Sequence, residues 1–74
     1  MQNTASGHIP VLLNGESRQI PAGQNVHALL TLLELPQDRI AVEINRTLVR
    51  KRDWEQTQIG PHARIEIVEF VGGG

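Results

Sequence analysis

The stretch that decides the fold closes the 74-residue sequence and reads Arg64-Ile65-Glu66-Ile67-Val68-Glu69-Phe70-Val71, followed at once by Gly72-Gly73-Gly74. Apolar residues at a period of two predict a β-strand over residues 64–71. Glycine loses more backbone entropy on ordering than any other residue, so three glycines do not stabilise a fold. We therefore expect residues 72–74 to serve chemistry outside the domain, and the alternative is a frayed terminus or an added linker.

Alternation within this strand separates two groups of apolar side chains. Ile65 and Ile67 fall on one face, and Val68 and Phe70 fall on the other. If a helix covers the isoleucines, Val68 and Phe70 are exposed just before the tail and, together with Val71, form a docking patch for a partner. The alternative is that Val68 and Phe70 pack locally under a loop.

Upstream of this strand, the sequence predicts a hairpin and then a helix. Residues 9–13 and 17–20 are short strands joined by Asn14-Gly15, which suits a type I′ turn. Asn25 is the expected N-cap of a helix over residues 26–34, which ends before Pro36. Its apolar stripe has the spacing of an amphipathic helix and consists of Val26, Leu29, Leu30 and Leu33.

The middle of the chain adds further strands. Residues 40–45 alternate as a strand, residues 48–49 suggest a short neighbouring strand, and residues 50–58 form a helical turn or a loop. Trp54 in that segment is expected to cap the edge of an aliphatic core. This order of elements predicts a two-layer α+β domain with one small sheet and a single main helix packed across one face. We expect a flexible extension at residues 1–8, the domain at residues 9–71 and a flexible tail at residues 72–74.

Composition excludes several classes of function. Seven basic and eight acidic residues are nearly balanced, which argues against nucleic-acid binding. The absence of cysteine removes disulfides, thiolate metal sites and cysteine nucleophiles. No apolar run approaches the length of a membrane span and the first ten residues do not resemble a signal peptide, so we expect a cytoplasmic protein without a membrane partner.

The remaining candidate sites are weak. The three histidines, His8, His27 and His62, lack metal-ligand spacing and are expected at the surface, without a bound metal. A basic cluster is either a solvated surface or a means of steering an acidic partner, and it comprises Arg46, Arg50, Lys51 and Arg52.

Residues 9–74 resemble the ThiS family, the small sulfur carriers of thiamin thiazole biosynthesis with a ubiquitin-like β-grasp fold. The order and spacing of several segments carry the resemblance: Val11-Leu12-Leu13-Asn14-Gly15, Ala22-Gly23-Gln24-Asn25-Val26, Ala41-Val42-Glu43-Ile44-Asn45, Asp53-Trp54, and the final strand with its glycines. The chain departs from the family pattern at Val49-Arg50-Lys51, which affects a partner contact, and at Pro61-His62, which affects only a turn.

The resemblance implies a carrier rather than an enzyme. Sulfur is carried as a thiocarboxylate on Gly74, after adenylation of its carboxylate by a ubiquitin-activating-type adenylyltransferase similar to ThiF or MoeB. ATP and Mg²⁺ belong to that partner, and this chain is expected to bind no cofactor. The sulfur derives from a donor such as a cysteine desulfurase and passes to a ThiG-like thiazole synthase.

Within the tail, Gly73 is the residue whose missing Cβ matters most, because it lies beside the reacting carbon against the partner's backbone. Gly72 chiefly extends the reach. Two alternatives to the thiazole carrier stay open. One is the small subunit of molybdopterin synthase, which shares the fold and the Gly-Gly end. The other is a ubiquitin-like protein modifier or a β-grasp binding module.

Overall fold

The computed structural model describes residues 7–70, and this part of the chain begins with an antiparallel hairpin. Strand β1 (His8–Leu13) pairs along its whole length with β2 (Glu16–Pro21). The two residues between them, Asn14 and Gly15, have φ angles of 48° and 83°. Positive φ at both positions is the requirement of a type I′ turn, so the predicted hairpin is present. The strand starts at His8, one residue before the predicted start of the domain.

The single α-helix of the described region, α1 (Val26–Leu32), follows the hairpin. Its N-cap is Asn25 as predicted, because the Asn25 Oδ1 atom accepts a hydrogen bond of 2.7 Å from the Ala28 N–H. The helix ends two residues before the predicted Glu34, which instead adopts a left-handed φ of 58°.

Two backbone hydrogen bonds close the end of α1. The Glu34 N–H donates to the Thr31 carbonyl at 3.0 Å, and the Leu35 N–H donates to the Leu30 carbonyl at 3.2 Å. This pair of bonds is a Schellman motif with glutamate at the position that glycine usually occupies. The left-handed residue reverses the chain before Pro36 is reached, and this explains why the helix is shorter than its apolar stripe.

The rest of the described chain completes a mixed five-stranded sheet in the order β2-β1-β5-β3-β4. Its strands are β3 (Ile40–Ile44), β4 (Thr47–Val49) and β5 (Arg64–Glu69), with 3₁₀ helices at Gln37–Arg39 and Lys51–Gln56. Strand β5 lies at the centre, parallel to β1 and antiparallel to β3. The last strand of the described chain is therefore the middle of the sheet.

The helix and one face of the sheet enclose an aliphatic core, which confirms the predicted two-layer α+β architecture. Each fully buried aliphatic side chain contributes roughly 1.5–3 kcal/mol of stabilisation. Trp54 belongs to this core with only 3% of its surface exposed, and its Nε1–H donates to the Val49 carbonyl at 3.0 Å. The buried residues of the described region are Val11, Leu13, Ile20, Val26, Leu29, Leu30, Ile40, Val42, Trp54, Ile59, Ala63 and Ile65.

None of the helices within residues 7–70 has the length and apolar character needed to cross a membrane.

Candidate functional site: the open sheet face and the last strand

Strand β5 presents different side chains to its two faces. Ile65 is fully buried and Ile67 packs against the core, whereas Val68 and Phe70 are 58% and 54% exposed. The predicted alternation is thus observed, and the alternative in which Val68 and Phe70 pack under a loop is wrong. Their role in docking a partner stays a prediction.

The end of β5 is held from both sides. On one side the Phe70 N–H donates to the Arg39 carbonyl at 2.7 Å. On the other side β1 has already ended, and the Asn14 side chain takes its place: its Oδ1 accepts a 2.7 Å hydrogen bond from the Ile67 N–H. These two bonds fix the path of the backbone from Ile67 to Phe70. Sequence analysis missed the second bond, because its partners are 53 residues apart and no local pattern links them.

The sheet face opposite α1 carries no covering element among residues 7–70. Side chains that alternate with the core residues lie on it, and we call this surface the open face. Four of the five exposed large hydrophobic residues in the described region belong to it; the fifth, Leu32, is on the helix. The four are Leu12, Leu48, Val68 and Phe70. Exposed apolar residues on one face of a small domain make that face a candidate interaction site.

The centre of the open face is a shallow concavity of about 430 Å³. Its apolar lining comes from Ala41, Leu48 and Val68, and its charged lining comes from Glu43, Glu66, Arg46 and Arg64.

Charges on the open face follow the strand register. Glu43 of β3 and Glu66 of β5 are direct cross-strand partners. Arg64 lies beside them, with its Nε atom 3.9 Å from the Glu66 carboxylate, and both side chains are partly exposed. Exposed pairs of this kind contribute little to stability. Of the predicted basic cluster only Arg46 lines the concavity, whereas Arg50 is the N-cap of the second 3₁₀ helix and Lys51 and Arg52 are its first two residues.

The predicted docking residue Val71 and the three predicted tail residues fall outside residues 7–70, the part of the chain that the structure describes. These are Val71, Gly72, Gly73 and Gly74. Within residues 7–70, no group of three or more histidine, aspartate or glutamate side chains converges as a metal ion would require.

The five-stranded sheet with a central C-terminal strand and one helix across a single face defines a ubiquitin-like β-grasp protein. The sequence profile of the ThiS family matches residues 11–74. The chain belongs to the ThiS family.

Individual relatives agree with this membership. The sulfur carrier protein ThiS of Escherichia coli is 33% identical over 64 residues, which cover 86% of this chain and 97% of that protein. The crystal structure of a thiamine biosynthesis protein (ThiS) from Geobacter metallireducens superposes with a TM-score of 0.76 at 26% identity, and it covers 89% of this chain and 100% of the other.

A second type of relative is much longer. A protein of Paramagnetospirillum magneticum named thiazole synthase is 38% identical over 64 residues, which are 86% of this chain but only 20% of that protein. A thiazole synthase of Magnetococcus marinus is 34% identical over 62 residues, or 84% of this chain and 19% of its own length. The chain thus spans about a fifth of these thiazole synthases.

Proposed function

We propose that this protein carries sulfur for the thiazole ring of thiamin, as a thiocarboxylate on Gly74. The observation that carries the proposal is the family match, which extends from residue 11 through the three glycines to residue 74. The relative in Escherichia coli is a sulfur carrier protein of similar length. The protein is in this view a substrate of its partner enzymes rather than an enzyme, and it acts in the cytoplasm.

The chemistry requires activation of the terminal carboxylate. At neutral pH that group is ionised and does not react with nucleophiles. Attack of a carboxylate oxygen on the α-phosphate of ATP forms an acyl-adenylate and releases pyrophosphate. A persulfide of the donor then displaces AMP and forms an acyl disulfide. A second thiol cleaves the S–S bond and leaves with the donor thiol as a disulfide, so that one oxygen of the carboxylate has been replaced by sulfur.

The parts of this reaction divide between the carrier and its partners. Mg²⁺ and the cationic groups that stabilise phosphate charge come from an adenylyltransferase of the ubiquitin-activating type. The sulfur comes from a donor such as a cysteine desulfurase. Gly74 supplies the acyl carbon, Gly73 passes beside the partner's backbone where a Cβ would obstruct it, and Gly72 extends the reach.

The acceptor in this proposal is a thiazole synthase. Support comes from the two longer relatives of that name, in which a segment similar to this chain makes up about a fifth of the polypeptide. Each of these two relatives joins a segment similar to this chain to a much longer sequence in a protein named thiazole synthase. This combination favours a thiazole synthase over molybdopterin synthase as the acceptor.

Docking on these partners uses the apolar residues next to the tail. Val68 and Phe70 are each more than half exposed at the end of the central strand. A partner that covers them buries apolar surface and receives the following residues, from Val71 onward, in a defined direction.

Intact mass spectrometry tests the proposal. The protein is incubated with the adenylyltransferase, ATP and a sulfur donor, and each component is omitted in turn. The expected result is a mass gain equal to the difference between one sulfur and one oxygen atom, located in the C-terminal peptide. Absence of this gain with an active adenylyltransferase would refute the proposal.

A variant that lacks Gly73 and Gly74 separates the remaining alternatives. It should fold normally, because the described core ends before these residues, and it should accept no sulfur. Full thiamin synthesis with this variant would instead indicate a binding module. Isopeptide adducts of the wild-type protein in cell extract would indicate a protein modifier.

A further inference from the structure

Strand β2 is an edge of the sheet, with a neighbour on one side only in the described chain. In the order β2-β1-β5-β3-β4 that neighbour is β1, and the pairing runs without a bulge from Glu16 to Pro21. The opposite edge, β4, has three residues, whereas β2 has six. An unpaired edge of this length is a template for a further strand.

Alternate residues of β2 direct their backbone groups away from β1. The Ala22 N–H donates to the Gly7 carbonyl at 2.8 Å, so the even-numbered residues of β2 face β1 in this antiparallel hairpin. The N–H and C=O groups of Ser17 and Gln19 therefore point outward, and both residues are exposed. Pro21 is the next outward residue and has no N–H, so the available donors end there.

The charged side chains on this edge complement each other in a two-fold symmetric arrangement. Glu16 and Arg18 lie on the same face of β2, both are exposed, and neither has an ion-pair partner among residues 7–70. When two β2 strands run antiparallel with their Ser17 residues opposite each other, Glu16 of each copy lies directly opposite Arg18 of the other. Cross-strand pairs of opposite charge stabilise a sheet.

The two neighbouring symmetric registers lack this match. A register centred on Arg18 sets two arginines directly opposite each other, which destabilises a sheet. A register centred on Gln19 sets Arg18 opposite Ile20, so the arginine meets no acidic residue. The Ser17 register also sets Gln19 opposite Gly15, where the approach is open, because a Cβ on Gly15 would meet no non-neighbouring residue within 4 Å.

We propose that β2 pairs with β2 of a second copy of this chain, antiparallel and centred on Ser17. The Ser17 N–H of each copy donates to the Ser17 carbonyl of the other, and a Glu16–Arg18 pair flanks this centre on each side. The product is a two-fold symmetric dimer in which the two five-stranded sheets become continuous.

The dimer is weak and leaves the rest of the domain accessible. One strand edge from each copy buries less surface than a standard protein interface, so we expect a Kd of about 10–500 μM. Strand β1 separates β2 from β5, so the dimer covers neither the open face nor the end of β5. Dimerisation in this form is independent of sulfur transfer.

Charge reversals test the pairing in the full chain. Sedimentation velocity and equilibrium over about 5–1,000 μM protein measure the association. Arg18→Glu and Glu16→Arg each place two pairs of like charges across the interface, and the double variant exchanges the charges and restores the match. Arg52→Glu and Glu55→Arg are the matched controls, because they make the same charge changes at exposed positions of the second 3₁₀ helix.

The wild type should show a monomer–dimer equilibrium. Each single reversal on β2 should raise the Kd by about tenfold or more, the controls should stay within about twofold, and the double variant should recover the wild-type value. A mixture of the Arg18→Glu and Glu16→Arg proteins should form a heterodimer at concentrations where neither associates alone. Unfolding of a variant cannot produce this last result.

Amide hydrogen exchange locates the interface. The Ser17 amide should gain protection as the protein concentration rises, whereas the Arg18 amide, which faces β1, should not change. A wild type that stays monomeric up to about 1 mM would overturn the inference, because the expected Kd lies below that concentration. A dimer that the β2 reversals leave intact would also overturn it, and loss of that dimer in Val68→Ser would assign self-association to the open face.

Discussion

Replacement of Asn14 should weaken the hold of β1 on β5, and two substitutions separate the contribution of the side-chain hydrogen bond from that of the turn conformation. Asn14→Gly keeps the left-handed turn but removes the Oδ1 acceptor that holds the Ile67 N–H at 2.7 Å. The net value of such a hydrogen bond is about 0.5–1.5 kcal/mol. Asn14→Ala loses the same bond and also places an alanine at φ 48°, which adds roughly 1–2 kcal/mol. We therefore expect losses of about 1 kcal/mol for glycine and about 2–3 kcal/mol for alanine.

These losses are large relative to the stability of a domain of this size. At about 0.05–0.15 kcal/mol per residue, the whole chain has roughly 4–11 kcal/mol. Urea unfolding followed by Trp54 fluorescence gives the global free energy, and native-state hydrogen exchange gives the protection of the Ile67 amide.

Asn45 supplies the matched control, because it makes the equivalent bond at the other end of the strand. Its Oδ1 accepts the Arg64 N–H at 2.9 Å, and its φ is 52°. Asn45→Gly should expose the Arg64 amide and leave the Ile67 amide protected. Equal protection of Ile67 in the wild type and in Asn14→Gly, or equal stability of the Gly and Ala variants at position 14, would refute the reasoning.

Three further predictions concern the helix end, the core and the open face. Glu34→Gly removes the strain of a side chain at the left-handed φ of 58° at the end of α1, and it should raise the free energy of unfolding in urea by about 0.5–1 kcal/mol. A loss of stability would contradict the Schellman assignment. Trp54→Phe leaves the Val49 carbonyl without its 3.0 Å donor and should lower the free energy of unfolding by about 1–3 kcal/mol. Unfolding followed by circular dichroism measures this loss, and an unchanged midpoint would disprove it. Phe70→Ser should change stability by less than about 0.5 kcal/mol, because the side chain is 54% exposed, yet lower kcat/KM for sulfur loading about tenfold. Normal loading of this variant would remove Phe70 from the interface.

Features that depend on neighbouring residues could be predicted from the sequence. The Asn14-Gly15 turn, the Asn25 cap and the opposite faces of β5 each follow from the conformational preferences or the period of a short segment. The exposure of Val68 and Phe70 is the most useful example, since alternation alone assigned their face.

Features that depend on which strands become neighbours could not be predicted. The order of the strands decides that Glu43 lies opposite Glu66, and neither residue alone indicates it. The Asn14 bond to Ile67 also requires β1 to end beside the middle of β5. At the end of α1, two hydrogen bonds place Glu34 in a conformation that glutamate disfavours, and the apolar stripe therefore predicted a helix two residues too long.

The central position of β5 also determines how the domain responds to mechanical force. Strand hydrogen bonds lie roughly perpendicular to the strand direction. A force applied to Phe70 along the direction of β5 loads the bonds to β1 and β3 in shear, so these bonds must break together rather than one at a time. The described part of the chain therefore resists unravelling when it is pulled from the end of β5.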